Sequence, residues 1–299
     1  MLILLINLER RPDRLEFMSA QLGALGLPFQ RIYAIDARNG DFGPVTATLS
    51  GAERACALSH RKAWQYFLET GQERCLILED DLIVSSKLKP FLDDPSNIPR
   101  GVDVLRLETR LMLTRLSRSK KCHTAGFKIH RMHSPHYGCA AYILSRDFAR
   151  AAVRDITDFS DPVDHVIFAV GDQCFYPAAA YQLRPALGIQ AELVESANGS
   201  TLAVSDLQPE RIKRFDRKPG GVKIKRSVLV KCLREIGRVL RNLKTMGTAV
   251  NEVIIHRGIK RKIPFAGSLS AATTAALHVH RSEQAVQPEV PTLRLLATE

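Results

Sequence analysis

Apolar positions follow two rhythms along the first half of the chain. Leu2 to Leu8 is an apolar run broken only at Asn7, the pattern of a strand covered on both faces, as in a parallel sheet. Pro12 suits a first helical position, and Leu15, Met18, Leu22 and Leu25 then recur at spacings of three and four until Gly26 stops the helix. Phe29 to Ile35 reads as a second strand ending at Asp36, which completes a βαβ unit. Ser50-Gly-Ala-Glu53 fits a capping box that opens a helix running to about Thr70. Cys75 to Leu78 is a short apolar strand that delivers Glu79, Asp80 and Asp81 to its carboxyl end. Val102 to Leu107 and Cys139 to Leu144 are further strands, and Ser145 caps a helix through Val153. Arg110 to Pro135 has little clean periodicity and reads as a long functional loop or an irregular hairpin. Strands alternating with helices predict an α/β fold with a doubly wound mixed sheet, in which ligands bind at the carboxyl ends of strands.

Composition changes this picture at the carboxy-terminal side. The 299 residues, 45% hydrophobic, suit one large domain with an appendage. The formal charge of +12 is localised: 17 lysines and arginines stand against 4 acids between Glu210 and Lys262, leaving the rest close to neutral. Residues 227 to 256 place Leu229, Leu233, Ile236, Leu240 and Leu243 at helical spacing, with Lys231, Arg234, Arg238 and Arg241 mostly off that stripe. This is a basic amphipathic helix. The chain then divides into a domain over 1–200, a basic helical extension over 201–266 and a flexible tail over 267–299. The six cysteines are scattered without a Cys-x-x-Cys pair, which suits reduced thiols in a cytoplasmic protein. No run approaches the ~20 apolar residues of a bilayer span. The positive charges of Arg10 and Arg11 follow the first apolar run instead of preceding it, unlike a signal peptide.

Three acids in a row repel one another unless a cation or hydrogen bonds compensate. A divalent metal bound together with a diphosphate is a natural compensator, and oxygen ligands suit Mg²⁺ or Mn²⁺. A solvated acidic turn is the alternative, and the buried strand ahead of the run weighs against it. The blocks Ile6-Asn-Leu-Glu-Arg-Arg-Pro-Asp-Arg14, Ala34-Ile-Asp-Ala37, Glu53 with Cys56-Ala-Leu-Ser-His60, Leu76-Ile-Leu-Glu-Asp-Asp81, Tyr142-Ile-Leu-Ser145 and Pro162-Val-Asp164 occur in order. Together they resemble glycosyltransferase family 25 over roughly residues 2 to 200. Ala52 and Ala55 depart from the pattern, which usually shows glycines nearby.

The resemblance implies a GT-A-like fold and transfer of a hexose, often galactose, from a UDP-sugar with inversion at the anomeric carbon. It implies a saccharide or glycolipid acceptor in lipooligosaccharide or lipopolysaccharide biosynthesis. Asp81, with Glu79, is then the ligand of Mn²⁺ or Mg²⁺, and Asp80 contacts a ribose or sugar hydroxyl. Asn7, Arg11 and Arg14, just past the first strand, fall where such enzymes bind the nucleotide. Asp36 falls where the uracil is met, and His60 becomes a donor or acceptor contact. Inversion needs a general base, for which Asp164 is the candidate, with Asp172 and Glu108 as substitutes. Asp161 and Pro162 beside it also read as a helix start. The Tyr137-Gly138 pair would line the acceptor side. Such an enzyme would be cytoplasmic and peripheral on the inner face of the bacterial inner membrane, its 227–256 helix lying on anionic lipid or packing on the domain. Two other classes compete: a catalytically inactive glycosyltransferase-like module, and a nucleic-acid-binding protein. The second is disfavoured, because Phe215 and Phe265 are the only aromatics among residues 210 to 265 to stack on bases.

Overall fold

The computed structural model describes residues 1–40, 49–117, 122–124, 126–134, 137–156, 159, 161–168, 180–194 and 258–267. Its centre is a mixed sheet. Strand β1 (Leu2–Asn7) lies between β2 (Gln30–Tyr33) and β3 (Arg74–Glu79), parallel to both. Beyond β3 the order continues through β10 (Ala141–Ser145), β5 (Val104–Arg106), β11 (Ala180–Arg184), β9 (Phe127–Arg131) and β8 (Cys122–Thr124). Strand β10 runs antiparallel to both β3 and β5.

Alternate residues of the central strands enter opposite cores. Ile3, Leu5, Leu76 and Leu78 join Phe17, Met18 and Leu22 of helix α1 (Pro12–Ala24) and Phe91 of the short helix α3 (Leu88–Asp93). Leu4, Ile6, Cys75 and Ile77 join Trp64 and Phe67 of α2 (Gly51–Glu69) and Phe148 of α4 (Arg146–Asp155). Because both faces are covered, these strands are apolar throughout instead of alternating. Helix α1 ends as expected, with Gly26 at a φ of 63° that costs glycine little.

The capping box is present in full. Ser50 Oγ accepts from Glu53 N at 3.2 Å, and Glu53 Oε2 accepts from Ser50 N at 2.9 Å. Ser50→Ala is expected to lower the unfolding free energy by about 1 kcal/mol in a urea titration. A change under about 0.3 kcal/mol would mean that packing alone sets the start of α2.

The described part of the stretch from Arg110 to Pro135 holds three strands. β8 and β9 form a hairpin, whereas β7 (Leu113–Ser117) pairs antiparallel with the distant β13 (Gly258–Lys262). Short strands β4 (Leu82–Val84), β12 (Gly188–Gln190) and β6 (Glu108–Thr109) make a second sheet. After β13, Thr109 Oγ1 donates to Ile263 O at 2.7 Å, Ala266 N donates to Ala186 O at 2.7 Å, and Ser85 Oγ donates to Ala266 O. Ile263 and Ala266 are buried. Residues 258–267 are thus built into the main unit. The 227–256 helix, the tail from 268 onward and Asp172 lie outside the described residues. Helix α5 (Val163–Ile167) starts one residue later than the sequence suggests, with Pro162 and not Asp161 at its N-cap. The side chain of Asp164 turns away to other partners, as described below. Among the described residues no helix is long and apolar enough to cross a membrane.

Candidate active site

The acidic run sits in the tight turn between β3 and β4, and its residues face opposite ways. Glu79 and Asp81 line a cavity of about 290 Å³, while Asp80 points into the interior. There Asp80 Oδ2 accepts from Asn7 Nδ2 at 2.7 Å and Oδ1 from Arg14 Nη1 at 2.9 Å. Asn7 also donates to Arg11 O at 3.0 Å and accepts from Arg31 Nη2 at 2.6 Å, so β1, α1 and β2 are tied to the turn through one amide. Burial raises the Asp80 carboxyl despite the opposing Arg14 charge.

Asp81 is the unusual member. Its Oδ1 is buried with no hydrogen-bond partner. Burial pushes its carboxyl up to about 8; Arg14 opposes this, and the negative charges of Glu79, Asp80 and Glu108 add to it. An orphaned carboxylate oxygen among other acids is suited to a hard cation.

Glu79 differs. Burial disfavours its charge, but hydrogen bonds from His60 and Cys139 and the Arg14 charge hold its carboxyl below the usual range. His60 is fully buried, with Nε2 2.9 Å from Glu79 Oε1 and Nδ1 2.9 Å from Tyr142 Oη. Trp64 Nε1, which can only donate, gives its proton to Tyr142 Oη at 2.9 Å. With the Tyr142 hydroxyl hydrogen directed to His60 Nδ1, the Nε2–H of the ring points at Glu79.

The opposing wall is built around Gly138. Its N–H donates to Asp164 Oδ2 at 2.7 Å, while His165 N donates to Asp164 Oδ1 at 2.9 Å. Both Asp164 oxygens are thereby aimed by backbone. Gly138 has a φ of 88°, and a Cβ there would lie 3.0 Å from Glu108 Oε1, so no other residue fits without displacement. Fully buried Arg106 donates to Tyr137 O at 2.9 Å, Gly138 O at 3.2 Å, Glu108 O at 3.1 Å and Gln182 Oε1 at 3.0 Å. It also pairs with Glu108, whose carboxyl burial nonetheless raises and whose Oε2 has no partner. Arg110, held by Gln190 and Glu192, closes the rim with Met112 and Tyr137.

These blocks of residues coincide with a known family. The sequence model of glycosyltransferase family 25, described as an LPS biosynthesis protein, matches residues 1–167. The chain belongs to glycosyltransferase family 25. A lacto-N-neotetraose biosynthesis glycosyltransferase of Neisseria gonorrhoeae is 29% identical over 159 residues, 48% of this chain and 57% of its own length. A lipooligosaccharide biosynthesis protein, lex-1, of Haemophilus influenzae is 30% identical over 180 residues, 56% of this chain and 57% of its own. The chain thus spans little more than half the length of these curated relatives. A solved glycosyltransferase involved in the glycosylation of the major capsid of PBCV-1 covers 72% of this chain and 96% of its own at 13% identity and a TM-score of 0.35, too loose to argue from.

Within the family 25 domain, the structure brings Glu79, Asp81 and Asp164 to one cavity. His60 stands behind Glu79, and Asn7, Arg14 and Asp80 form a buried brace behind Asp81. Arg11 folds onto Asp13, with Nη2 2.7 Å from Oδ2, and Asp36 pairs with Arg10 at 2.6 Å; neither lines the cavity. Sequence reasoning passed over Arg106, Arg110, Gln190, Glu192, Cys56 and Cys139. For Arg106 a signal exists: a cation inside the apolar strand Val104-Leu-Arg-Leu107 needs a buried partner.

Proposed function

We propose that this family 25 chain transfers a hexose, with galactose the leading choice, from a UDP-sugar to a saccharide acceptor of lipooligosaccharide or lipopolysaccharide, by inversion and on a GT-A-type fold. The observation that carries the reading is the partnerless buried oxygen of Asp81 sharing a cavity with the doubly anchored carboxylate of Asp164. The names of the relatives, which concern lipooligosaccharide and lacto-N-neotetraose biosynthesis, suggest the acceptor class.

Asp81 and Glu79 would hold Mn²⁺ or Mg²⁺, an ion whose charge would neutralise the departing diphosphate. The Asn7–Asp80–Arg14 brace keeps the turn that presents both acids from shifting. Asp164 takes the acceptor hydroxyl proton as the new C1–O bond forms and the bond from C1 to the diphosphate breaks, releasing UDP. Met112 and Tyr137 at the exposed rim offer apolar surface to the face of a sugar. The basic 227–256 segment is assigned to the anionic lipid surface that carries the acceptor.

Asp164→Asn is expected to lower kcat by about 10²- to 10⁴-fold while leaving UDP-sugar affinity intact, as read by steady-state kinetics and calorimetry. Loss of donor affinity with kcat retained would move Asp164 out of the base role. Failure of the wild-type chain to bind any UDP-hexose in the presence of Mn²⁺ would sink the whole reading.

A further inference from the structure

The cavity also holds a second donor set, in which Glu79 is joined by three groups that the proposed sugar transfer leaves unused. Cys56 and His60 are four residues apart on α2, so both project from one helix face. Glu79 meets them from the end of β3, and Cys139 from the segment leading into β10. The ligand atoms of Cys56, His60 and Glu79 all lie within 4.8 Å of one another. Cys139 Sγ is 3.5 Å from His60 Nε2 and 3.3 Å from Glu79 Oε1. Donors about 2.0–2.3 Å from a tetrahedral zinc sit roughly 3.3–3.8 Å apart. Cys139 already stands at that spacing from His60 and Glu79, the His60–Glu79 pair at 2.9 Å would part slightly, and Cys56 would close in from within 4.8 Å of both.

The chemistry of the set is selective. Two sulfurs and an imidazole are soft or borderline donors, favouring Zn²⁺, whereas the all-oxygen pair of Asp81 and Glu79 suits Mg²⁺ or Mn²⁺. Both cysteines stand outside any disulfide, and Cys56, Glu79 and Cys139 line the cavity, which gives an ion a way in. The outer support is also in place. Tyr142, fixed by Trp64, contacts the far nitrogen of His60 and so orients the ring. Coordination through Nε2 would shift the ring proton to Nδ1, from which it would be donated to Tyr142 Oη.

We propose that Cys56, His60, Cys139 and Glu79 form a site for a thiophilic divalent cation, Zn²⁺, adjoining the hard-cation position and sharing Glu79 with it. Occupancy withdraws Glu79 from Asp81, so zinc inhibits transfer and added Mn²⁺ relieves the inhibition. That consequence rests on the proposed function, whereas the site itself does not.

The test titrates Co²⁺, a spectroscopic stand-in for Zn²⁺, into the full chain. The expected result is one equivalent with tetrahedral d–d bands and a thiolate-to-cobalt charge-transfer band, displaced by Zn²⁺. Asp81→Asn should retain that spectrum, and Cys56→Ser should abolish the site or weaken it at least tenfold. In the wild-type chain, Zn²⁺ should also protect Cys56 from alkylation as read by mass spectrometry, a measurement that needs no variant to fold. A cobalt spectrum without a thiolate band, the same spectrum in Cys56→Ser, or no protection of Cys56 would overturn the proposal. A chain that gives the thiolate spectrum yet transfers no sugar keeps this site and sinks the transfer reading alone.

Discussion

Asp81→Asn is expected to cut the proposed sugar transfer at least ~10²-fold and, without metal, to make the protein harder to melt at alkaline pH. The two effects have one cause. The Asp81 carboxyl is raised from 3.8 to about 8, so the folded protein holds that proton more tightly than the unfolded chain. Wild-type stability therefore falls as pH climbs between those values, and the slope levels off above about 8. An amide has no proton to lose and cannot contribute to it. The Asn variant in EDTA should thus gain on the wild type as pH rises from 5 to 8, as read by thermal melts at each pH. Activity moves the opposite way. Cation stabilisation of a leaving diphosphate is worth several kcal/mol, so transfer should fall at least ~10²-fold in the variant. A melting difference independent of pH would show that Asp81 is not protonated in the metal-free fold. Full activity in the variant would remove Asp81 from the chemistry.

Arg106→Met should have the largest effect on stability, about 3–5 kcal/mol by urea denaturation. It removes the cation paired with a fully buried carboxylate, Glu108, and strips a donor from the carbonyls of Tyr137 and Gly138. Those residues carry the N–H that aims Asp164, so activity should fall beyond what lost stability explains. Pairing the change with Glu108→Gln should recover part of the loss, since no uncompensated charge remains buried. A loss under about 1 kcal/mol in the single variant would show that the wall stands without its guanidinium.

What could be read from the sequence was local. The apolar run of β1 and the short run of β3 announce strands covered on both faces because the residues on either side are apolar too. The box at Ser50 is legible because its two hydrogen bonds span three residues. The acidic run was legible as a candidate site, with Glu79 and Asp81 together, but the inward turn of Asp80 was not. Which acid faces the cavity depends on the turn after Glu79, and Asp80 is drawn inward by Asn7 and Arg14 from other elements. The cavity's far wall escaped notice for the same reason, because Arg110, Gln190 and Glu192 meet only through tertiary structure. The strand at Leu113–Ser117 shows no clear period of its own, and its partner begins only at Gly258.

That last pairing alters what the basic stretch is. One described segment ends at Val194, just past the cavity-lining Glu192, and the next begins at Gly258, opposite Ser117 on β7. In chain order, most of the net positive charge therefore lies between two described segments of one unit, 180–194 and 258–267. Truncation from the carboxyl end cannot remove it without also taking out a strand and the buried Ile263 and Ala266. An internal excision that rejoins the chain ahead of Gly258 would strip the charge and leave the sheet its last strand.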